Sequence, residues 1–217
     1  MIDENPSVTP TVFVIDDDPA MRKSLTWLIE SVNLNVEAYE SASAYVEKHD
    51  PEQPGCILLD VRMPGMSGLD LQAHLREIRS LTPVIVMTGH ADVPMAVRAL
   101  KNGAFDFIEK PFNDQVLLES VQKAIEQDRR IRRESTEISD IEDRIDNLTK
   151  RETEVMDYVV DGNPNRRIAE ILGLSEKTIE VHRAHVMDKM RAKNAADLIR
   201  MVLTARNFRA ATAPMPR

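Results

Sequence analysis

Five short apolar runs punctuate the first half of the chain: TVFVI at 11–15, NVEAY at 35–39, CILLD at 56–60, PVIVMT at 83–88 and FDFIE at 105–109. Helical patterns fill the intervals, with a spacing of roughly 20 to 25 residues from run to run. That alternation predicts β-α-β units and a parallel sheet. CILL and VIVM do not alternate with polar residues, as central strands covered on both faces require. Five strands and five helices make a doubly wound α/β domain, whose ligands bind beyond the carboxyl ends of the strands.

From 113 to 146 the chain is helical in pattern and highly charged, without Gly or Pro. Leu117, Ala124, Ile131, Ile138 and Ile145 recur every seven residues, joined by Ile141 and Leu148. The last helix of the front domain is therefore expected to run on into a linker helix, either a solvated spacer or a coiled coil between protomers. Asp128, Ser135 and Glu142 interrupt the second seam. The back segment opens with TKRE, a capping box of Thr149 and Glu152. NRRIAEIL, EKTIEVHRAHVMDKMRA and AADLIRMVLTARN then read as three more helices. Gly173 and Ser175, in the GLS between the first two, supply a left-handed turn and a cap. A helix, a Gly turn and a longer basic helix predict a helix-turn-helix. The final AATAPMPR reads as a loose tail.

Composition adds a charge asymmetry. Residues 1–146 hold 15 Lys and Arg against 27 Asp and Glu, a net of −12, while residues 147–217 hold 13 against 9, a net of +4. An acidic front and a basic back point to two domains with different partners, the back one facing a polyanion. No apolar run reaches the ~18 residues of a membrane span, and MIDENPS is acidic where a secretory signal is basic, so a cytoplasmic protein is expected. The single Cys56 lies within an apolar run and reads as a small core residue.

The chemistry stands at the strand ends. Strand one runs into Asp16 and Asp17, strand three ends in Asp60, strand four ends in Thr88, and strand five is followed by Lys110. Asp17 and Asp60, on neighbouring strands, can hold Mg²⁺, a hard cation that takes few protein ligands and keeps its waters. An oxygen of Asp60 is left to attack a phosphoryl group whose charge the metal and Lys110 stabilise. Thr88 can donate to a phosphoryl oxygen, and Gly89 leaves the approach open. A lone Asp after a strand commonly caps a turn, and Asp18, before Pro19, fits that role. The conjunction of four suitable residues on four strands is what argues for a site.

VIDDDPAMRKSL, LLDVRMPGMSGLDL and VIVMTGHADVPMAVRALKNGAFDFIEKPF together resemble the receiver domain of bacterial two-component response regulators, most closely the FixJ branch. The resemblance implies a flavodoxin-like receiver over 10–128, phosphorylated on Asp60 by a sensor histidine kinase. It implies Mg²⁺ held by Asp17, Asp60 and the carbonyl of Arg62, with Asp16 acting through water. Thr88 and Phe107 become the switch pair, and Lys110–Pro111 a cis peptide. Arg62 and His90, each two residues beyond a key position, are expected to influence how fast the phosphate is lost.

LTKRETEVMDYVVDGNPNRRIAEILGLSEKTIEVHRAHVMDKM resembles the LuxR-type four-helix DNA-binding domain of FixJ and NarL regulators, over 147–209, leaving 129–146 as the linker. By that resemblance Lys177, Thr178, Val181, His182 and Arg183 face DNA, and Arg166, Arg167 and Lys189 contact phosphates. Ile179, Val186 and Met190 should face the core, with His185 packed beside them. Glu180 is a departure: it could accept from a cytosine amine, repel the backbone or pair with Arg183. The implied partners are a histidine kinase, promoter DNA, RNA polymerase and a second copy of the chain. Dimerisation is expected through helix 4, strand 5 and helix 5, with Arg98, Lys101, Glu109 and Lys110 supplying charges, and also through the linker helix if that helix is a coiled coil and not a spacer. An enzyme reading uses the D-x-D of Asp16 and Asp18, as in haloacid-dehalogenase-like phosphatases, but Ala20 stands where that family has Thr or Val. A third reading keeps the receiver only as a phosphorylation-independent dimer module.

Overall fold

The computed structural model describes residues 9–89 and 93–212, so His90 lies outside the described residues. The chain divides between Arg132 and Arg133 into two compact units.

In the first unit, β1 (Thr11–Ile15), β2 (Asn35–Tyr39), β3 (Gly55–Asp60), β4 (Val84–Thr88) and β5 (Asp106–Glu109) alternate with α1 (Pro19–Glu30), α2 (Ala42–Lys48), α3 (Gly68–Glu77), α4 (Val93–Lys101) and the start of α5 (Asp114–Asp146). The sheet is parallel throughout, in the order β2-β1-β3-β4-β5. Period-two geometry sends alternate side chains of each buried strand to opposite faces. Phe13, Ile15, Ile57, Leu59 and Val86 pack with Tyr45, Leu71 and Leu75 of α2 and α3. Val12, Val14, Leu58, Ile85 and Met87 pack with Leu25 and Ile29 of α1 and Leu117, Val121 and Ile125 of α5. Cys56 is buried in this second layer, as expected. Asp18 caps α1, its Oδ1 accepting from the Ala20 amide at 2.9 Å, with Pro19 in the first turn. That commitment removes Asp18 from the D-x-D pair of the phosphatase reading.

The edge of the first unit is held by a pairing on α5. Asp128 is fully buried and accepts from the Gly55 amide at 3.0 Å. Arg132 Nε grips its carboxylate at 2.9 and 3.0 Å, while the other guanidinium nitrogens donate to the carbonyls of Pro51 and Gln53. Arg132 is thereby bonded into the first unit, which ends with it.

In the second unit, Ile141 and Ile145 from the end of α5 join a core of Leu148, Val155, Met156, Ile168, Ile179, Val186, Met190, Leu198 and Val202. That core is built by α6 (Lys150–Val160), α7 (Asn165–Leu172), α8 (Glu176–Lys189) and α9 (Ala195–Thr212). The heptad seam is thus used within the chain: Leu117 and Ala124 lie in the receiver core, Ile141, Ile145 and Leu148 in the second one. Thr149 and Glu152 form the predicted capping box, Gly173 is left-handed at φ 65°, and Ser175 caps α8. The supposed tail begins helical, since α9 continues to Thr212.

Candidate functional site

At the carboxyl end of the sheet, β1 and β3 run side by side and deliver Asp16 and Asp60 to one place. Asp16 is buried, its Oδ1 accepting from the Asp18 amide at 2.9 Å. Asp60 is nearly buried, its Oδ2 accepting from the Arg62 amide at 2.6 Å. The remaining oxygens, Asp16 Oδ2 and Asp60 Oδ1, each lie 2.6 Å from Lys110 Nζ. Lys110 reaches them from the loop after β5, where its amide donates to the Thr88 carbonyl at 2.7 Å and Lys110–Pro111 is cis. Thr88 is buried at the end of β4, and Gly89 beside it has nothing within 4 Å of where a Cβ would stand. Phe107, half-buried, packs against the core of Val86 and Ala99.

Burial lifts the Asp60 carboxyl above its ordinary pKa, Lys110 pulls it back down, and Asp16 adds repulsion. For Lys110, burial opposes the ammonium, but the hydrogen bonds to Asp16 and Asp60 outweigh it and hold its pKa above the usual value. The ammonium is thus what lets two carboxylates share a low-dielectric corner.

Asp17 is exposed, and among the described residues its carboxylate has no hydrogen-bond partner. Among those residues no three His, Cys, Asp or Glu side chains gather as a ready cluster. The donor chemistry nevertheless fits Mg²⁺: the oxygens at this edge are carboxylates, one of them uncommitted, and the Arg62 carbonyl follows Asp60 by two residues.

Sequence reading missed two supports of this corner. Arg22, on α1, donates through Nη1 to the carbonyls of Asp16 at 2.7 Å and Asp17 at 3.0 Å, fixing the acidic turn. Gly68 approaches the Asp60 carbonyl so closely that a Cβ there would lie 2.1 Å from it. The signal for Arg22 was present, since it stands one turn into a helix capped by Asp18.

On the second unit, the exposed face of α8 includes Lys177, Glu180, Val181, Ala184, His185 and Asp188. Ile179, Val186 and Met190 are buried as expected. The two histidines are exchanged relative to expectation. His182 is half-buried, its Nδ1 shielded and without a hydrogen-bond partner among the described residues, whereas the His185 side chain is 60% exposed. Position 182 follows Ile179 by three residues and precedes Val186 by four, which places it on the core side. Thr178 shares a hydrogen bond with the cap hydroxyl of Ser175 at 2.8 Å, and Arg183 donates to Asn165 Oδ1 on α7 at 2.7 Å. Arg166 and Arg167 stay exposed, loosely paired with Glu170. Lys189 is committed inward, 2.6 Å from the buried Glu152, which ties α8 to the first turn of α6. That pairing and the Thr149 amide hold the Glu152 carboxyl down at about 2.

Comparison with known proteins agrees with both halves. Residues 12–122 match the response regulator receiver domain family, and residues 146–202 match the luxR family of bacterial regulatory proteins. The chain is 46% identical to nodulation protein W of Bradyrhizobium diazoefficiens over 195 residues, 90% of this chain and 86% of that protein. It is 45% identical to the transcriptional regulatory protein FixJ of Azorhizobium caulinodans, covering 89% of this chain and 92% of that protein. Among solved structures it is similar to the response regulator StyR, with a TM-score of 0.80 and 39% identity over 90% of this chain and 98% of that one. The chain belongs to the FixJ-type response regulators, transcription regulators that join a receiver domain to a LuxR-type DNA-binding domain.

Proposed function

We propose that Asp60 is the phosphoacceptor of a two-component system and that its phosphorylation controls dimerisation and binding to promoter DNA. The observation that carries this reading is the pair of 2.6 Å contacts by which Lys110 gathers Asp16 and Asp60, beside a buried Thr88 and an open Gly89. A carboxylate oxygen of Asp60 attacks the phosphorus of a phosphohistidine on the kinase. The P–N bond breaks, and its electrons leave on the imidazole. Asp17, Asp60 and the Arg62 carbonyl, with Asp16 through water, would hold Mg²⁺, which when bound would neutralise charge on the transferring group. Lys110 exchanges part of its contact with Asp60 for a phosphoryl oxygen, and Thr88 donates its hydroxyl to another. Phe107 then fills the space behind Thr88. On this reading the receiver catalyses only its own phosphotransfer and dephosphorylation, and the protein works in the cytoplasm beside its kinase.

The dimer face is assigned to α4, β5 and α5, where Val97, Leu100 and Val116 are exposed apolar residues beside the charges of Arg98, Lys101 and Glu109. Lys110 drops out of that set because it is turned into the acidic corner. Lys177 and Val181 meet the major groove, and Arg166 and Arg167 meet phosphates; RNA polymerase is a further partner of the DNA-bound dimer. On this reading the functional boundaries are a receiver over 10–128, a helical linker over 129–146 and a DNA-binding domain over 147–209. The test is light scattering and DNA binding by the full chain with and without beryllofluoride and Mg²⁺. Dimerisation and tighter binding in the wild type, both absent from Asp60→Asn, are expected. A response that survives Asp60→Asn would move the phosphoacceptor elsewhere.

A further inference from the structure

The recognition helix carries an acid where a polyanion must approach. Glu180 is exposed on α8, flanked on the same stripe by Lys177, Val181 and Ala184. Two cations stand three residues from it along the helix, Lys177 and Arg183, and among the described residues neither is paired with it. Arg183 is instead drawn to α7, with Nη1 2.7 Å from Asn165 Oδ1. Among the described residues the Glu180 carboxylate has no hydrogen bond or ion pair. Val181 beside it, 49% exposed, brings no charge.

An unneutralised carboxylate within a few ångströms of a duplex is repelled unless it meets a hydrogen-bond donor. In the major groove the donors are the exocyclic amines of cytosine and adenine. Adenine sets its N7 acceptor beside that amine, which repels a carboxylate, whereas cytosine presents N4 without an acceptor of its own on that edge. Position along the stripe decides between reading and repulsion. Glu180 is the fifth residue of α8, exposed and one turn in from the helix start, and it is the N-terminal residues of a recognition helix that reach base edges. We infer that Glu180 is a specificity residue that accepts a hydrogen bond from cytosine N4, so that each half-site of the operator holds a C·G pair at one fixed position. The inference rests on the DNA-binding reading above.

The test is selection of binding sites from random duplexes by the full chain activated with beryllofluoride and Mg²⁺, alongside Glu180→Ala and Glu180→Gln. Glu180 is exposed, so both variants should keep the fold, which circular dichroism checks. Wild type should enrich cytosine at one position of each half-site. Glu180→Ala should flatten that position alone, with about a tenfold loss of discrimination, and Glu180→Gln should move it towards adenine, whose N6 and N7 suit an amide. Two results overturn the inference: a wild-type motif with no fixed cytosine, or a Glu180→Ala protein that binds every sequence more tightly with the motif unchanged. If wild type selects no sequence at all, the DNA-binding reading fails first, and this inference with it.

Discussion

Lys110 Nζ lies 2.6 Å from Asp60 Oδ1, so a cation already stands at the proposed phosphoacceptor. Replacing Lys110 by Ala leaves Asp16 and Asp60 to repel each other in a nearly buried corner. Stability should fall by about 2 kcal/mol at neutral pH, less than for a fully buried pair because the corner is partly open to water. Millimolar Mg²⁺ should restore part of the loss. Urea melts of Lys110→Ala that do not respond to Mg²⁺ would show that these acids hold no cation.

Arg132→Ala strands the fully buried Asp128 without its ion pair and should cost about 3–5 kcal/mol. Burial already raises the Asp128 pKa, and Arg132 acts to lower it. Without the arginine it rises further, so the folded variant holds a proton that the unfolded chain releases. The variant should therefore regain stability as pH falls, and denaturant titrations at several pH values read this directly.

Glu152 has the opposite sign. Its folded pKa of about 2 lies below the unfolded 4.5, so its contribution is whole above about pH 5 and is lost as pH falls towards 2. Thermal melts of the second unit followed by circular dichroism should show that loss, and Glu152→Gln should remove the pH dependence while lowering stability at neutral pH.

On the recognition helix, Lys177→Ala should weaken binding across sequences and reduce the slope of log K against log salt by about 1. His182→Ala should leave the slope alone and instead destabilise the unit by about 1–2 kcal/mol, as a half-buried side chain does when truncated. Fluorescence anisotropy over a salt series separates the two. A salt slope that drops for His182→Ala would return that histidine to the DNA face.

Much of the receiver was legible because buried parallel strands read as unbroken apolar runs, and because each key side chain stands where its run ends. Asp128 and Arg132 were not legible as a latch. Four residues apart on a charged helix, they look like a solvated pair, and only contact with Pro51, Gln53 and Gly55, more than seventy residues away in sequence, buries them. The pairing of Lys189 was illegible for the same reason: its partner Glu152 is 37 residues distant. His182 and His185 differ in exposure for a reason of phase: counting from Ile179 and Val186 sets 182 towards the core side and 185 outward.

The six residues of β3 have an acid-bound glycine, Gly55, at one end and the proposed phosphoacceptor, Asp60, at the other. A methyl at Gly55 would lie 1.8 Å from the Thr11 carbonyl. Natural variation at position 55 is therefore constrained by a residue type that reacts with nothing, and mutational surveys that score only loss of signalling would mistake it for part of the chemistry. Such a scan should find Gly55 as intolerant as Asp60, yet rescued by neither metal nor phosphodonor.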